Sequence, residues 1–256
     1  MIPRIAIQEP AGEGDELLVL GPSLGTSTVL WESTAALLRR HYRVAAWDLP
    51  GHGASPAATD PFTVGEIALG VLDAVDALGA GTFLYAGVSL GGATGLELLL
   101  HAPERVRSAA ILCSGAKIGT TEGWVERALH VRSQGTASLV VPSASRWFAP
   151  GSIERHPDGT GRLLHSLRDA DDESYALCAE ALAIYDVRAL LGNIPVPVLA
   201  LWGEHDQVVG ERQSEEIAEG VQHGTSAPVR GAAHLAPVEQ PEAVASSLIA
   251  HFGGTA

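Results

Sequence analysis

The sequence predicts an α/β fold in which a mostly parallel, doubly wound sheet carries an inserted helical cap. Three observations lead there. Short, continuously apolar runs alternate with stretches of helical period. Those runs lack the in–out alternation of a half-exposed strand, so each is covered on both faces. The alternation then stops from Ala116 to Asn193 and resumes afterwards.

The elements follow in order. Glu16 to Leu20 reads as a strand and Trp31 to Arg40 as a helix, with Trp31, Ala35 and Leu38 on one face. Arg43 to Trp47 is the next strand, ended by Asp48-Leu49-Pro50-Gly51-His52-Gly53, whose proline and glycines force a loop. Thr63 to Leu78 places Val64, Ile67, Val71, Val75 and Leu78 at helical spacing, and Thr63 with Glu66 forms a capping box. Thr82 to Val88 is a strand, Leu90 to His101 a helix and Val106 to Cys113 a strand. The interruption holds helical pieces such as Gly123 to Ser133 and Glu173 to Leu191. Strand Val196 to Trp202, helix Glu211 to Val221, a short strand near Ala227 to Arg230 and a helix from Pro241 to Phe252 complete the chain. The expected organisation is a core of residues 1–115 and 194–256, with a cap of residues 116–193.

Composition narrows the function classes. The chain has 256 residues, 46% of them hydrophobic, which suits a sizeable core and not a disordered chain. Its net charge of −14 disfavours nucleic acid and anionic membrane surfaces as partners, because both recruit Lys and Arg. No apolar run reaches the roughly 18 residues of a membrane span. Pro3 and Glu9 interrupt the N-terminal segment, a poor signal peptide, so a cytoplasmic location is expected. Cys113 and Cys178 sit among apolar neighbours and form no CxxC pair, which suggests reduced, buried thiols. No HExxH, EF-hand or Cys/His cluster points to a metal. No GxxxxGK[ST] and no GxGxxG after a strand points to a nucleotide, so no cofactor is expected.

The pattern G-x-S-x-G, which marks a sharp strand-to-helix turn exposing a serine, occurs twice: Gly21-Pro22-Ser23-Leu24-Gly25 and Gly87-Val88-Ser89-Leu90-Gly91. Chance alone would supply about 0.2 matches at this glycine and serine content, so context must separate the two. Ser89 follows a strand directly, precedes a helix directly and has Gly87, Gly91 and Gly92 to relieve crowding. After Ser23 the helix is delayed to about Trp31, which leaves Ser23 in a loop. Ser89 is therefore the candidate nucleophile. A serine needs a base, and the base an orienting acid, in the chain order Ser, acid, His for this architecture. Asp206 lies just past strand Val196 to Trp202, and His234 follows the short strand near Ala227. Glu204 is a rival acid, and His205 and His52 read as loop residues without chemistry. The Leu90 N–H, directly after the nucleophile, is an expected oxyanion donor.

These motifs resemble those of the α/β-hydrolase fold over essentially the whole chain. Gly51-His52-Gly53-Ala54-Ser55, Ser89, Asp206, and Ala233-His234-Leu235 with Glu239-Gln240-Pro241 fall in that family's order. Within the fold the sequence is most similar to the 3-oxoadipate enol-lactonases of aromatic-acid degradation. Ser23-Leu24-Gly25-Thr26 with Trp31, Ala116 to Thr120 with Trp124 and Arg127, Arg146-Trp147-Phe148, and Tyr175 to Leu182 before Asp186 carry this likeness. Two sites depart from it: Pro22 replaces a common asparagine, and the loop after the second long strand lacks the usual arginine.

The resemblance implies a cofactor-free serine hydrolase that opens a small carboxylate-bearing lactone through an acyl-enzyme. A general carboxylesterase or acyl-transfer hydrolase with perhydrolase side activity is the alternative, and a catalytically silent ligand-binding protein a third. The second oxyanion donor is placed at Leu24, with Ser23 as the alternative. An anionic substrate of an acidic protein needs a local cation, for which Lys117, Arg127, Arg132 and Arg146 are candidates. Arg146 comes first because Trp147 and Phe148 adjoin it as an apolar wall, and Trp124 is a second wall. The expected partner is a small-molecule substrate; the sequence leaves the oligomeric state open.

Overall fold

The computed structural model describes residues 1–253. Seven strands form one sheet: β1 (Ala6–Ile7), β2 (Leu17–Gly21), β3 (Arg43–Asp48), β4 (Phe83–Val88), β5 (Val106–Leu112), β6 (Pro197–Gly203) and β7 (His223–Val229). Their spatial order is β1-β3-β2-β4-β5-β6-β7. Only β1 runs antiparallel, beside β3; the other pairs are parallel. The central strands β2 and β4 are buried along their whole length, as their uninterrupted apolar sequences require.

The helices of the first half are α1 (Glu32–Leu38), α2 (Val64–Ala77) and α3 (Leu90–His101). The capping box expected at α2 is present: Thr63 Oγ1 accepts the Glu66 N–H at 3.1 Å, and Glu66 Oε2 accepts the Thr63 N–H at 2.9 Å. Between β5 and β6 the chain forms α4 (Thr121–Gln134), α5 (Val140–Trp147), α6 (Ser152–Arg155), α7 (Pro157–Asp169) and α8 (Asp172–Ile184). α4 packs on α8, and α7 packs on the 3₁₀ turn Thr28–Trp31. That contact seats the insert over the carboxyl end of β2, where loops converge. After β6 come α9 (Glu211–Gly220), α10 (Ala236–Glu239) and α11 (Pro241–Gly253). Among the described residues no helix is long and apolar enough to cross a membrane.

Several elements differ from the sequence reading. Helix α1 starts at Glu32 because Thr28–Trp31 winds as a 3₁₀ turn. β1 is a two-residue edge strand with no periodicity to announce it. β7 runs from His223 to Val229, longer and earlier than the stretch near Ala227 to Arg230. It is an edge strand, mostly exposed, whose residues carry little apolar signal. The helix expected over Glu173 to Leu191 stops at Ile184, and a 3₁₀ turn follows at Arg188–Asn193. At the break the Val187 N–H donates to Ala116 O, and Asp186 binds the Arg188 guanidinium. Those contacts replace the helical bonds.

Candidate active site

Ser89 sits at the junction of β4 and α3 with φ 55° and ψ −116°. A non-glycine residue in this region costs about 1–3 kcal/mol and persists only where its surroundings hold it. Here the holding groups are visible. The Ser89 N–H donates to Leu112 O at 2.9 Å, and Ser114 Oγ donates to Ser89 O at 2.7 Å. Tyr85 OH, in the preceding strand, donates to Gly91 O at 2.7 Å. The turn also demands missing side chains. A Cβ on Gly87 would lie 2.3 Å from Gly91 O, and one on Gly91 would lie 2.5 Å from Pro22 O. At Ser23, by contrast, the chain enters an ordinary turn closed by the Thr26 N–H and Thr26 Oγ1, both donating to Ser23 O.

Beyond the sheet, the loop after β6 presents Asp206 and the loop after β7 presents His234. The His234 Nδ1–H donates to Asp206 Oδ2 at 2.8 Å, between side chains that are 3% and 0% exposed. Asp206 Oδ1 accepts the Val208 and Val209 N–H groups at 2.7 and 3.2 Å. With one oxygen held by the backbone, the other fixes the imidazole tautomer and leaves Nε2 bare to accept a proton. Glu204 is turned away, accepting the Gly231 N–H, and His205 is exposed beside it. A second buried carboxylate braces the histidine loop from behind. Glu239, 1% exposed, accepts the Ala233 N–H at Oε2, and the Ala149 N–H and Ser152 hydroxyl at Oε1, all at 2.7 Å. Trp147 O accepts the N–H groups of His234 and Leu235 at 3.1 and 3.2 Å, a further tie between the insert and this loop.

Ser89 and His234 open onto one pocket of about 40 Å³, together with Ser23, Leu24, Trp124, Arg127, Ser143, Arg146, Trp147, Tyr175 and Val208. An outer pocket of about 180 Å³ shares Trp124, Arg127, Arg146 and Val208 with it and extends to Ile118, Gly119, Thr120 and Gly123. No carboxylate lines either one among the described residues. All eight site residues named from the sequence gather here. Ser89, His234, Leu24, Trp124, Arg146 and Trp147 line the pocket, Asp206 holds His234, and Leu90 opens α3 beside Ser89. Neither the Leu24 nor the Leu90 N–H has a protein acceptor among the described residues. The Gly91 N–H beside them is taken up by Pro22 O at 2.9 Å, which ties the two loops together.

The other expectations separate by geometry. Arg132 is engaged outward with Glu173 and Glu180, and Lys117 stands 3.5 Å from Asp186. Arg127 donates to Tyr175 OH at 3.4 Å, and Arg146 has no ion pair or hydrogen bond among the described residues. Phe148 does not share the wall with Trp147. Their rings meet edge to face, and Phe148 lines a separate depression with His205 and Gln207. The sequence does not mark Tyr175, Ser143 or Val208 as lining residues: the first two lie on helices whose pattern does not show which side faces a pocket, and Val208 lies in the irregular loop before α9. Both cysteines are free and buried, and burial pushes both thiols up.

Comparison with known proteins fits this geometry. Residues 16–134 match the family model described as alpha/beta hydrolase fold. The chain is 36% identical over 233 residues to 3-oxoadipate enol-lactonase 2 of Acinetobacter baylyi, covering 91% of this chain and 87% of that one. It is 27% identical over 235 residues to carboxylesterase YbfK of Bacillus subtilis, covering 89% and 77%. The crystal structure of the enol-lactonase from Burkholderia xenovorans LB400 superposes with a TM-score of 0.92 at 30% identity, covering 97% of this chain and 96% of that one. Sheet order, insert and sequence likeness agree: the chain belongs to the α/β-hydrolase fold family, among its carboxylic ester hydrolases.

Proposed function

We propose that this protein is a serine hydrolase that opens a small carboxylate-bearing lactone, 3-oxoadipate enol-lactone, to 3-oxoadipate in the cytoplasmic degradation of aromatic acids. The observation that carries the reading is the pocket lining. In a chain of net charge −14, the space above Ser89 and His234 is faced by Arg127 and Arg146 and, among the described residues, by no carboxylate. That arrangement sets positive charge where an anionic substrate would enter. Trp124 and Trp147 supply flat apolar walls for the ring. The similarity to enol-lactonases supports the same reading.

In this mechanism Ser89 Oγ attacks the lactone carbonyl while His234 Nε2 takes its proton. Asp206 holds the imidazolium that forms. The Leu24 and Leu90 N–H groups receive the oxyanion, which develops only as the carbonyl carbon becomes tetrahedral. Collapse breaks the ring C–O bond. The departing enolate takes the proton from His234 and tautomerises to a ketone, so departure is easy and the protein's main task is orientation. Water, deprotonated by His234, then attacks the ester of Ser89; the acyl C–Oγ bond breaks, Ser89 Oγ takes the proton back from His234, and the second carboxylate is freed.

A second reading, a carboxylesterase for neutral esters with perhydrolase side activity, draws on the likeness to YbfK and uses the same residues. Hydrolysis of the enol-lactone measured beside p-nitrophenyl acetate decides between them. The lactone is expected to show a kcat/KM higher by orders of magnitude; parity, or preference for the acetate, selects the esterase.

A further inference from the structure

His52 takes no part in the proton path, yet it is 1% exposed, enclosed between the loop after β2 and the insert. Both ring nitrogens are occupied. Nδ1 lies 2.8 Å from Pro50 O, and Nε2 lies 3.2 Å from the Gly25 nitrogen. A carbonyl oxygen only accepts and an amide N–H only donates, so the tautomer is determined. Nδ1–H donates to Pro50 O, and a bare Nε2 accepts the Gly25 N–H. Burial strips hydration from the charged ring and holds its pKa at about 4, against the opposing pull of Pro50 O and Asp171. The ring is therefore neutral at pH 7 and available as an acceptor.

The amide it accepts is the one after Leu24. Around Leu24, several neighbouring groups have a partner in another part of the chain or in their own turn. Pro22 O accepts from Gly91, Ser23 O from Thr26, and Asp48 Oδ1 accepts the Thr28 N–H at 2.8 Å. Gly25 itself is at φ +80°, with a Leu167 methyl 2.6 Å from where a Cβ would stand, so the chain turns sharply there. Without an acceptor at position 52 the Gly25 N–H is buried and unpaired, and rotation of the Leu24–Gly25 peptide is the simplest relief. Tyr175 stacks on the same imidazole, ring centroids 6.1 Å apart and planes 27° from parallel. One ring thus joins the loop after β2 to a residue lining the pocket.

We infer that His52 is a positioning residue for the oxyanion site: its bare Nε2 fixes the Leu24–Gly25 peptide, the one directly after the Ser23–Leu24 peptide that carries the donor, and so holds the Leu24 backbone where its N–H meets the carbonyl that Ser89 attacks. The inference rests on the serine mechanism proposed above, but not on the lactone. It differs from a general packing role in one respect: the contact it secures strengthens only in the transition state, so its loss lowers kcat and leaves KM in place.

The test is phosphonylation of Ser89 by a p-nitrophenyl alkylphosphonate, followed by nitrophenolate release and by mass spectrometry of the labelled peptide. Ser89 Oγ bonds to phosphorus, the P–O bond to nitrophenolate breaks, His234 takes the serine proton, and the phosphoryl oxygen occupies the oxyanion site. Removing a single oxyanion donor outright costs about 10²–10³ in rate, so His52→Ala should slow labelling by about 10²-fold. His52→Gln, whose Oε1 can take the Gly25 N–H, should recover most of that loss. On p-nitrophenyl acetate His52→Ala should lower kcat with KM unchanged. Labelling of folded His52→Ala at the wild-type rate overturns the inference while the serine mechanism stands. A wild-type protein that is not labelled at Ser89 overturns the mechanism and the inference with it. Should His52→Ala not fold, ¹⁵N NMR of the wild-type ring gives an independent answer. A protonated Nε2 at pH 7 refutes the inference, and a bare one with its proton on Nδ1 supports it.

Discussion

On the sheet side of the pocket, Ser89, Leu24 and Leu90 sit in loops fixed by buried hydrogen bonds, from the backbone and from the side chains of Tyr85, Ser114 and His52. Pro22 O, Leu112 O and Gly91 O are each satisfied, and glycines allow the loops to touch. On the insert side, Trp124, Arg127 and Arg146 face the same space through long side chains, and Arg146 is exposed at the mouth. The difference teaches how labour is divided. In the proposed mechanism the groups that meet the reacting atoms sit in turns fixed by buried hydrogen bonds, some of them from side chains such as His52, Tyr85 and Ser114. Those proposed to choose the substrate sit on an insert where a single substitution rewrites the wall.

Three measurements strain that division, beginning with the strongest. Ser89→Ala should lower kcat by about 10⁴-fold or more with the melting temperature little changed, since in the proposed mechanism loss of the nucleophile leaves only residual catalysis. Ser23→Ala should lose less than about tenfold, because Ser23 contributes its backbone to the loop. Full activity in Ser89→Ala would move the nucleophile to the other side of the pocket.

Stability against pH probes the sheet side. The His52 pKa is about 4 when folded and near 6.5 when free. The unfolded chain therefore binds a proton that the folded chain refuses, and stability falls as pH drops from 6.5 to 4. The full loss from this ring is about 3 kcal/mol. His251, also lowered by burial, adds in the same direction. Urea unfolding from pH 7 to 4 should show the decline, and His52→Gln should remove His52's part of it. Identical pH slopes in the two proteins would mean the ring is not buried neutral.

The insert side gives the smallest effect. Arg146→Ala should raise KM for the anionic lactone about tenfold, near 1.4 kcal/mol, and shift a neutral ester of similar size by less than about twofold. An equal loss on both substrates would show that Arg146 supports the insert and does not read charge.

The same division decides what the sequence makes legible. The Ser89 turn is local: strand, serine, glycines and helix are contiguous, so the two G-x-S-x-G matches can be separated by what flanks them. Asp206 and His234 follow from strand ends in a fixed chain order. Pocket membership is different, because Tyr175, Ser143 and Val208 meet only through tertiary packing. Phe148 adjoins Trp147 in sequence yet faces another depression, since neighbouring residues at the end of a helix point apart. Edge strands are faint for a related reason. β7 lacks the two covered faces that make a buried strand apolar, and β1 is too short to carry a period. The early end of α8 at Ile184 turns on Val187 bonding back to Ala116, a contact 71 positions away along the chain that no local window contains.

Glu239 sets a condition for anyone who would graft a foreign insert onto this scaffold. Its carboxylate serves Ala233, beside His234, through one oxygen, and Ala149 and Ser152 of the insert through the other. A transplanted segment that brings new walls but no donors at those two positions strands half of a buried anion. That costs several kcal/mol, and the strain falls on the loop that carries His234. Specificity can be exchanged between relatives only if the Ala149–Ser152 corner travels with the walls, or if Glu239 is replaced at the same time.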